Sequence, residues 1–220
     1  MWTRQLSVRR RGGIASGIDD IIIITGRGKR TIEDYFDFSP QLENHLAQSD
    51  KQQQLEQMRA ISALADIHYI RQTEPKGLGD AVLKAEKHIG AEPFAVLLGD
   101  DIIRSNVPCL KQFNNRFTTY ESPMIAIENV VPERISSYGI IKGRRVTDSL
   151  YLLTDVVEKP LLNEAPSRLG VVGRYVVTPD LFGCIRQVSA DATGEVQLTD
   201  ATRLLLGEHE VYAYLIEGTR

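Results

Sequence analysis

The sequence predicts an α/β fold, a mixed sheet flanked by helices, and three observations predict it. Short β-branched or apolar runs alternate with stretches whose apolar residues recur at helical spacing. One run, Pro93-Phe94-Ala95-Val96-Leu97-Leu98-Gly99, is apolar on both faces, as a central parallel strand is, and it ends on two carboxylates, Asp100 and Asp101. The length, 220 residues with 42% hydrophobic content, suits one domain with a real core.

Taken in order, residues 21–25 form a β-branched strand, and Gly26-Arg27-Gly28 turns it into a helix through Ile32 and Phe36. Ser39 and Pro40 cap and open a long polar helix over residues 41–64, with Leu42, Leu46, Leu55, Met58, Ile61 and Leu64 as its apolar positions. Its middle, residues 49–54, is polar enough to break it. A strand over 67–72, a glycine turn and a helix over 80–88 lead into the apolar run. Beyond Asp101, Pro108 opens a helix and residues 123–130 form a strand. Strands over 138–141, 150–158 and 169–177 read as a mixed, partly antiparallel extension, punctuated by Gly139, Gly143 and Gly173. Helices return over 179–187 and 197–206, and residues 211–216 give a last strand.

Composition excludes several classes. With 26 basic and 29 acidic residues, a net charge of -3 and no sustained basic stripe, nucleic acid is not the main partner. Cys109 and Cys184 build neither a disulfide framework nor a zinc site and fit a reducing, cytoplasmic setting. No apolar stretch approaches the roughly 20 residues that span a bilayer, so no membrane is expected as a partner. His45, His68, His88 and His209 lie far apart without metal-ligand spacing.

Four features carry chemistry, each with a bland alternative. Asp100 and Asp101 offer hard oxygen ligands suited to Mg²⁺ at the carboxyl end of a buried strand, although Asp is also common in turns and helix caps. Glu74-Pro75-Lys76-Gly77-Leu78-Gly79-Asp80 lets a ligand approach the backbone at a helix start, or simply turns the chain. Val156-Val157-Glu158-Lys159-Pro160 ends a strand on a cation for phosphate, or on a solvated terminus. Gly194-Glu195-Val196-Gln197-Leu198-Thr199-Asp200 offers Glu195 to sugar hydroxyls, or to a helix dipole.

Together and in this order, the four resemble the bacterial-type UTP:glucose-1-phosphate uridylyltransferases of the sugar-phosphate nucleotidyltransferase superfamily. Further strings carry the resemblance: Ile18-Asp19-Asp20-Ile21-Ile22-Ile23-Ile24-Thr25-Gly26-Arg27, Ala65-Asp66-Ile67-His68-Tyr69, Ser137-Tyr138-Gly139-Ile140-Ile141 and Val172-Gly173-Arg174-Tyr175. The resemblance implies a Rossmann-like mixed sheet of the nucleotidyltransferase (GT-A-like) type. It also implies a reaction in which glucose 1-phosphate attacks the α-phosphate of UTP, giving UDP-glucose and pyrophosphate. By the family pattern, Gln72 and the Gly77 backbone meet uracil, Asp100 holds Mg²⁺, and Lys159 meets phosphate. Glu158, Gly173 and Glu195 contact glucose and Gly139 lines its pocket, which leaves Asp101 either to back the metal ligand or to serve as a turn residue. A cytoplasmic homo-oligomer is the expectation carried with it.

The chain also departs from the pattern. Residues 1–14 match nothing in the family, the resemblance spans residues 15–220, and the first strand with its Gly-rich triphosphate loop is expected to be missing. The second metal ligand is expected beyond residue 220. A truncated, weakly active or inactive enzyme follows as an expectation, with the edges of its central ladder exposed. A non-catalytic fragment that binds a nucleotide sugar is the alternative, as is a related transferase using dTTP or another hexose phosphate. A glycosyltransferase fits less well, because Asp100-Asp101-Ile102 lacks the third-position acid of Asp-x-Asp.

Overall fold

In the computed structural model, which describes residues 3–7, 18, 20–36, 39–49, 51–62 and 66–218, strands and helices alternate as the patterning predicts. The chain runs β1 (Thr3–Ser7), β2 (Asp20–Thr25), α1 (Arg30–Phe36), α2 (Pro40–Gln48), α3 (Gln52–Ser62), β3 (Asp66–Arg71), α4 (Gly77–Leu83), α5 (Glu86–Ile89) and β4 (Phe94–Leu98). It continues with α6 (Cys109–Tyr120), β5 (Met124–Asn129), a 3₁₀ turn (Pro132–Ser137), β6 (Gly139–Arg145), β7 (Leu150–Glu158), β8 (Leu169–Val177), α7 (Asp180–Gln187), α8 (Leu198–Leu205) and β9 (Tyr212–Leu215). The described strands join one sheet in the order β3-β2-β1-β4-β8-β5-β9-β7-β6.

The apolar run is buried on both faces because helices cover both. From β4, Phe94 and Val96 enter a core with Leu78, Val82, Phe182, Ile185, Leu198 and Leu205 of α4, α7 and α8. Ala95 between them faces the other way, into a core with Cys109 and Leu110 of α6. Phe94 and Phe182 stack at 4.9 Å and 7°, a favourable ring geometry added to the burial itself.

Three expectations need correction. The slot beside β4 is not vacant: β1 lies between β2 and β4 and pairs with both, Leu6 opposite Ile21 on one side and Ala95 on the other. The expected open ladder edges there are therefore closed. Nor is β4 in a parallel ladder, since its pairings with β1 and β8 are both antiparallel. A run apolar on both faces reports burial on both faces, not strand direction. Third, the helix after β3 starts at Gly77 rather than near Asp80, and Gly77 at its head holds a φ of 90° that L side chains rarely enter. The long polar helix does break, between Gln48 and Gln52. The boundary expected between residues 14 and 15 lies outside the described residues.

β8 organises the far half of the sheet. It pairs with β4 through Phe94↔Val177 to Leu97↔Arg174, with β5 along much of its length, and with β6 at Ile140↔Gly170. Its register with β5 jumps between Ile125↔Tyr175 and Ile127↔Val171, so Gly173 falls in an irregular stretch that leaves its amide off that ladder.

Candidate functional site

Three clusters gather the predicted residues. The first lies where β4 ends. Asp100 is exposed and makes no bond to any described residue. Asp101, only 5% exposed, turns inward, and its Oδ2 accepts the Gly173 amide at 2.8 Å. Arg174 donates to the carbonyl oxygens of Leu98 and Gly173, at 2.9 and 2.8 Å, and to that of Asp101. The turn bearing Asp100 is thus stitched to β8 from both sides. Gly173 must be glycine for steric reasons: a Cβ there would lie 2.4 Å from Leu98 Cγ and 2.6 Å from Asp101 Oδ2.

The second cluster joins β6, β7 and α8. Gly139 pairs across the ladder with Glu158. Glu158 Oε2 accepts the Thr199 hydroxyl at 2.7 Å, and a Cβ on Gly139 would meet both side chains. Lys159 has a left-handed backbone, φ 44°, with its amide on Tyr138 O at 2.9 Å. Its exposed ammonium stands 3.6 Å from Glu158 Oε1. The first two clusters meet near Tyr175, whose phenol pKa is raised, by burial first and then by the Glu158 and Asp101 carboxylates. Along β8, Gly170 beside Ile140 and Gly173 beside the acid turn are three residues apart, about 10 Å of strand.

The third cluster is a pair of docked loops. Gln72, just past β3, takes its own amide to Thr25 O at 2.8 Å and donates from Nε2 to Asp80 Oδ2 at 2.7 Å and to Gly77 O at 3.2 Å. Asp80 is held in turn by Lys84 at 3.0 Å. The Gly77 loop then crosses the Glu195 loop: Val196 N donates to Lys76 O and Gly79 N to Val196 O, both at 2.8 Å. A Cβ at Gly77 would meet the Val196 backbone at 2.8 Å, so the crossing itself requires glycine. Glu195 is half-buried, and its carboxylate lies 3.4 Å from Gln197 Nε2.

Every predicted site residue therefore falls in one of these clusters, and α8 links the last two, with Glu195 just before it and Thr199 in its first turn. Sequence reasoning missed Thr199, Arg174 and Asp80. Thr199 and Glu158 are 41 residues apart, so only the fold pairs them. Among the described residues no three His, Cys, Asp or Glu side chains form a metal cage, and no helix is long and apolar enough to cross a membrane. An open cleft lined by Arg104, Ser105, Asn106, Val107, Glu217 and Gly218 contains none of the predicted site residues.

Residues 12–219 match the family described as Nucleotidyl transferase. The chain is 48% identical over 205 residues to UTP--glucose-1-phosphate uridylyltransferase YngB of Bacillus subtilis (strain 168), covering 93% of this chain and 69% of that protein. It superposes on UDP-glucose pyrophosphorylase complexed with UDP-glucose at a TM-score of 0.85 with 38% identity, covering 94% of this chain and 76% of that one. The UTP-bound UGPase from Acinetobacter baumannii matches at a TM-score of 0.84 with 32% identity, covering 93% and 72% of the two chains.

Proposed function

Because the chain belongs to the nucleotidyl transferase family, among its UTP–glucose-1-phosphate uridylyltransferases, we propose that it transfers the uridylyl group of UTP to glucose 1-phosphate, forming UDP-glucose and pyrophosphate. A phosphate oxygen of glucose 1-phosphate attacks the α-phosphorus in line. The bond from that phosphorus to the bridging oxygen of the β-phosphate breaks, and pyrophosphate carries the electron pair away. No side chain needs to become covalently attached. Such a reaction is accelerated by holding both substrates in line and by neutralising charge on the phosphates.

The residues divide that work. Gln72 and the Gly77 loop receive the uracil, with Gln72 pre-oriented by Asp80 and by Gly77 itself. Glu158, Gly139, Gly173 and Glu195 receive glucose, whose hydroxyls suit carboxylate acceptors. Lys159 supplies an exposed positive charge for phosphate. Its ammonium lies 3.6 Å from Glu158 Oε1, which places the proposed phosphate partner beside the proposed glucose partner. Asp100 fits a divalent ion of the Mg²⁺ type: a single exposed carboxylate at a strand end suits a cation that keeps several waters and takes its remaining ligands from phosphate oxygens. When bound, Mg²⁺ would neutralise charge on the phosphates. A cytoplasmic homo-oligomer completes the proposal.

The observation that supports this reading is the docking of the Gly77 and Glu195 loops through two backbone bonds, which brings the backbone proposed to meet uracil beside the carboxylate proposed to meet glucose. Purified protein incubated with UTP, glucose 1-phosphate and Mg²⁺ should release pyrophosphate, and release should need both substrates. Binding of UDP-glucose by calorimetry with no turnover would favour the non-catalytic alternative, and faster turnover with dTTP would reassign the nucleotide.

A further inference from the structure

Asp191 lies outside the residues assigned to substrate, yet four donors converge on its carboxylate. Oδ1 accepts the Thr193 hydroxyl at 2.6 Å, the Thr193 amide at 2.8 Å and the Glu195 amide at 3.1 Å. Oδ2 accepts Gln197 Nε2 at 2.7 Å, and the same amide group reaches Glu195 Oε2 at 3.4 Å. The backbone closes the ring, with Asp191 N on Glu195 O and Gly194 N on Asp191 O, each at 2.9 Å. These donors hold the carboxyl far below its usual pKa, the Thr193 hydroxyl contributing most. Immediately beyond Glu195, Val196 makes the two-bond crossing with the Gly77 loop.

Gln197 therefore bridges two carboxylates through one amide group, and Asp191 is the one that anchors it. Asp191 also accepts the Glu195 amide, so it reaches the main chain of that residue directly and its side chain through Gln197. We propose that Asp191 is a positioning residue for the glucose subsite, orienting Glu195 through its amide and through Gln197, and fixing it against the nucleotide loop through the Val196 crossing. This role presupposes that Glu195 meets glucose.

The test compares the wild type with Asp191→Ala, Asp191→Asn, Gln197→Leu and the surface control Asp148→Ala, using calorimetric titration with UDP-glucose and with UDP. The Ala variant should lose about tenfold in UDP-glucose affinity, the size of one well-formed charge-assisted contact network, and only about two- to threefold for UDP. Asp191→Asn keeps an oxygen for the Thr193 and Glu195 amides but cannot accept from Gln197 at the other atom, so it should match Gln197→Leu, about threefold weaker for UDP-glucose. Asp148→Ala should bind as wild type. Amide hydrogen exchange is the second readout: Glu195, Val196 and Gly79 should exchange faster in Asp191→Ala while the β4 and β8 amides do not change. Equal losses for UDP and UDP-glucose, or unchanged binding with unchanged exchange, would overturn the proposal. If the wild type binds neither ligand, the assignment of the site to UDP-glucose fails, and the exchange data alone decide whether Asp191 fixes the loop.

Discussion

Asp101 commits its carboxylate to the Gly173 amide inside the protein, while its neighbour Asp100 remains exposed and unbonded among the described residues. One position apart, the two should respond to mutation in opposite ways. Asp100→Asn should leave stability within about 0.5 kcal/mol, as is usual for a surface change, yet lower pyrophosphate release by about 10²–10³-fold, the scale of a lost charge-neutralising group. Asp101→Ala should instead lower unfolding free energy by about 1–3 kcal/mol, by stranding the Gly173 amide in the interior. Urea unfolding with parallel initial rates separates the two, and a destabilised Asp100→Asn would refute the division. The sequence shows that a carboxyl pair follows the strand. Which of the two turns inward depends on β8, whose Gly173 is 72 residues away, and no local pattern encodes that.

Elements show the same split between local and distant information. The break between α2 and α3 is legible, because a run of polar residues over 49–54 gives neither helix a face to bury. The strand positions of β7 and β8 are legible to the residue, since Leu150–Glu158 and Leu169–Val177 stand between clear turn signals. Strand direction is not, because a doubly covered strand has the same composition in either sense. α8 illustrates what packing adds: its first turn brings the Thr199 hydroxyl to Glu158. Thr199→Val removes that donor while conserving shape. It should raise KM for glucose 1-phosphate about five- to tenfold, roughly the net worth of one hydrogen bond, with KM for UTP unchanged. Thr199→Ser should restore most of the loss. Equal effects on both substrates would point to a general disturbance of α8 instead.

At the scale of the whole molecule, the centre of the sheet depends on a strand that sequence patterning does not reveal. Thr3-Arg4-Gln5-Leu6-Ser7 has neither an apolar run nor clean alternation, and its place is set by the two ladders it joins, β2 and β4. Proline cannot donate to a ladder, so Gln5→Pro should cost about 3 kcal/mol or more in unfolding free energy. A chemical denaturation curve identical to wild type would show that β1 contributes no stability there. Order in time follows from the bond between Asp101 and Gly173. A refolding chain can collapse its helices and local hairpins early, since their contacts are near in sequence. The acid turn acquires its shape only after β8 has threaded between β4 and β5, a closure of long sequence separation and correspondingly slow. In stopped-flow refolding, recovery of UDP-glucose binding should therefore lag behind far-ultraviolet circular dichroism and coincide with the slowest phase. Competence to bind thus serves as a clock for the last stage of folding.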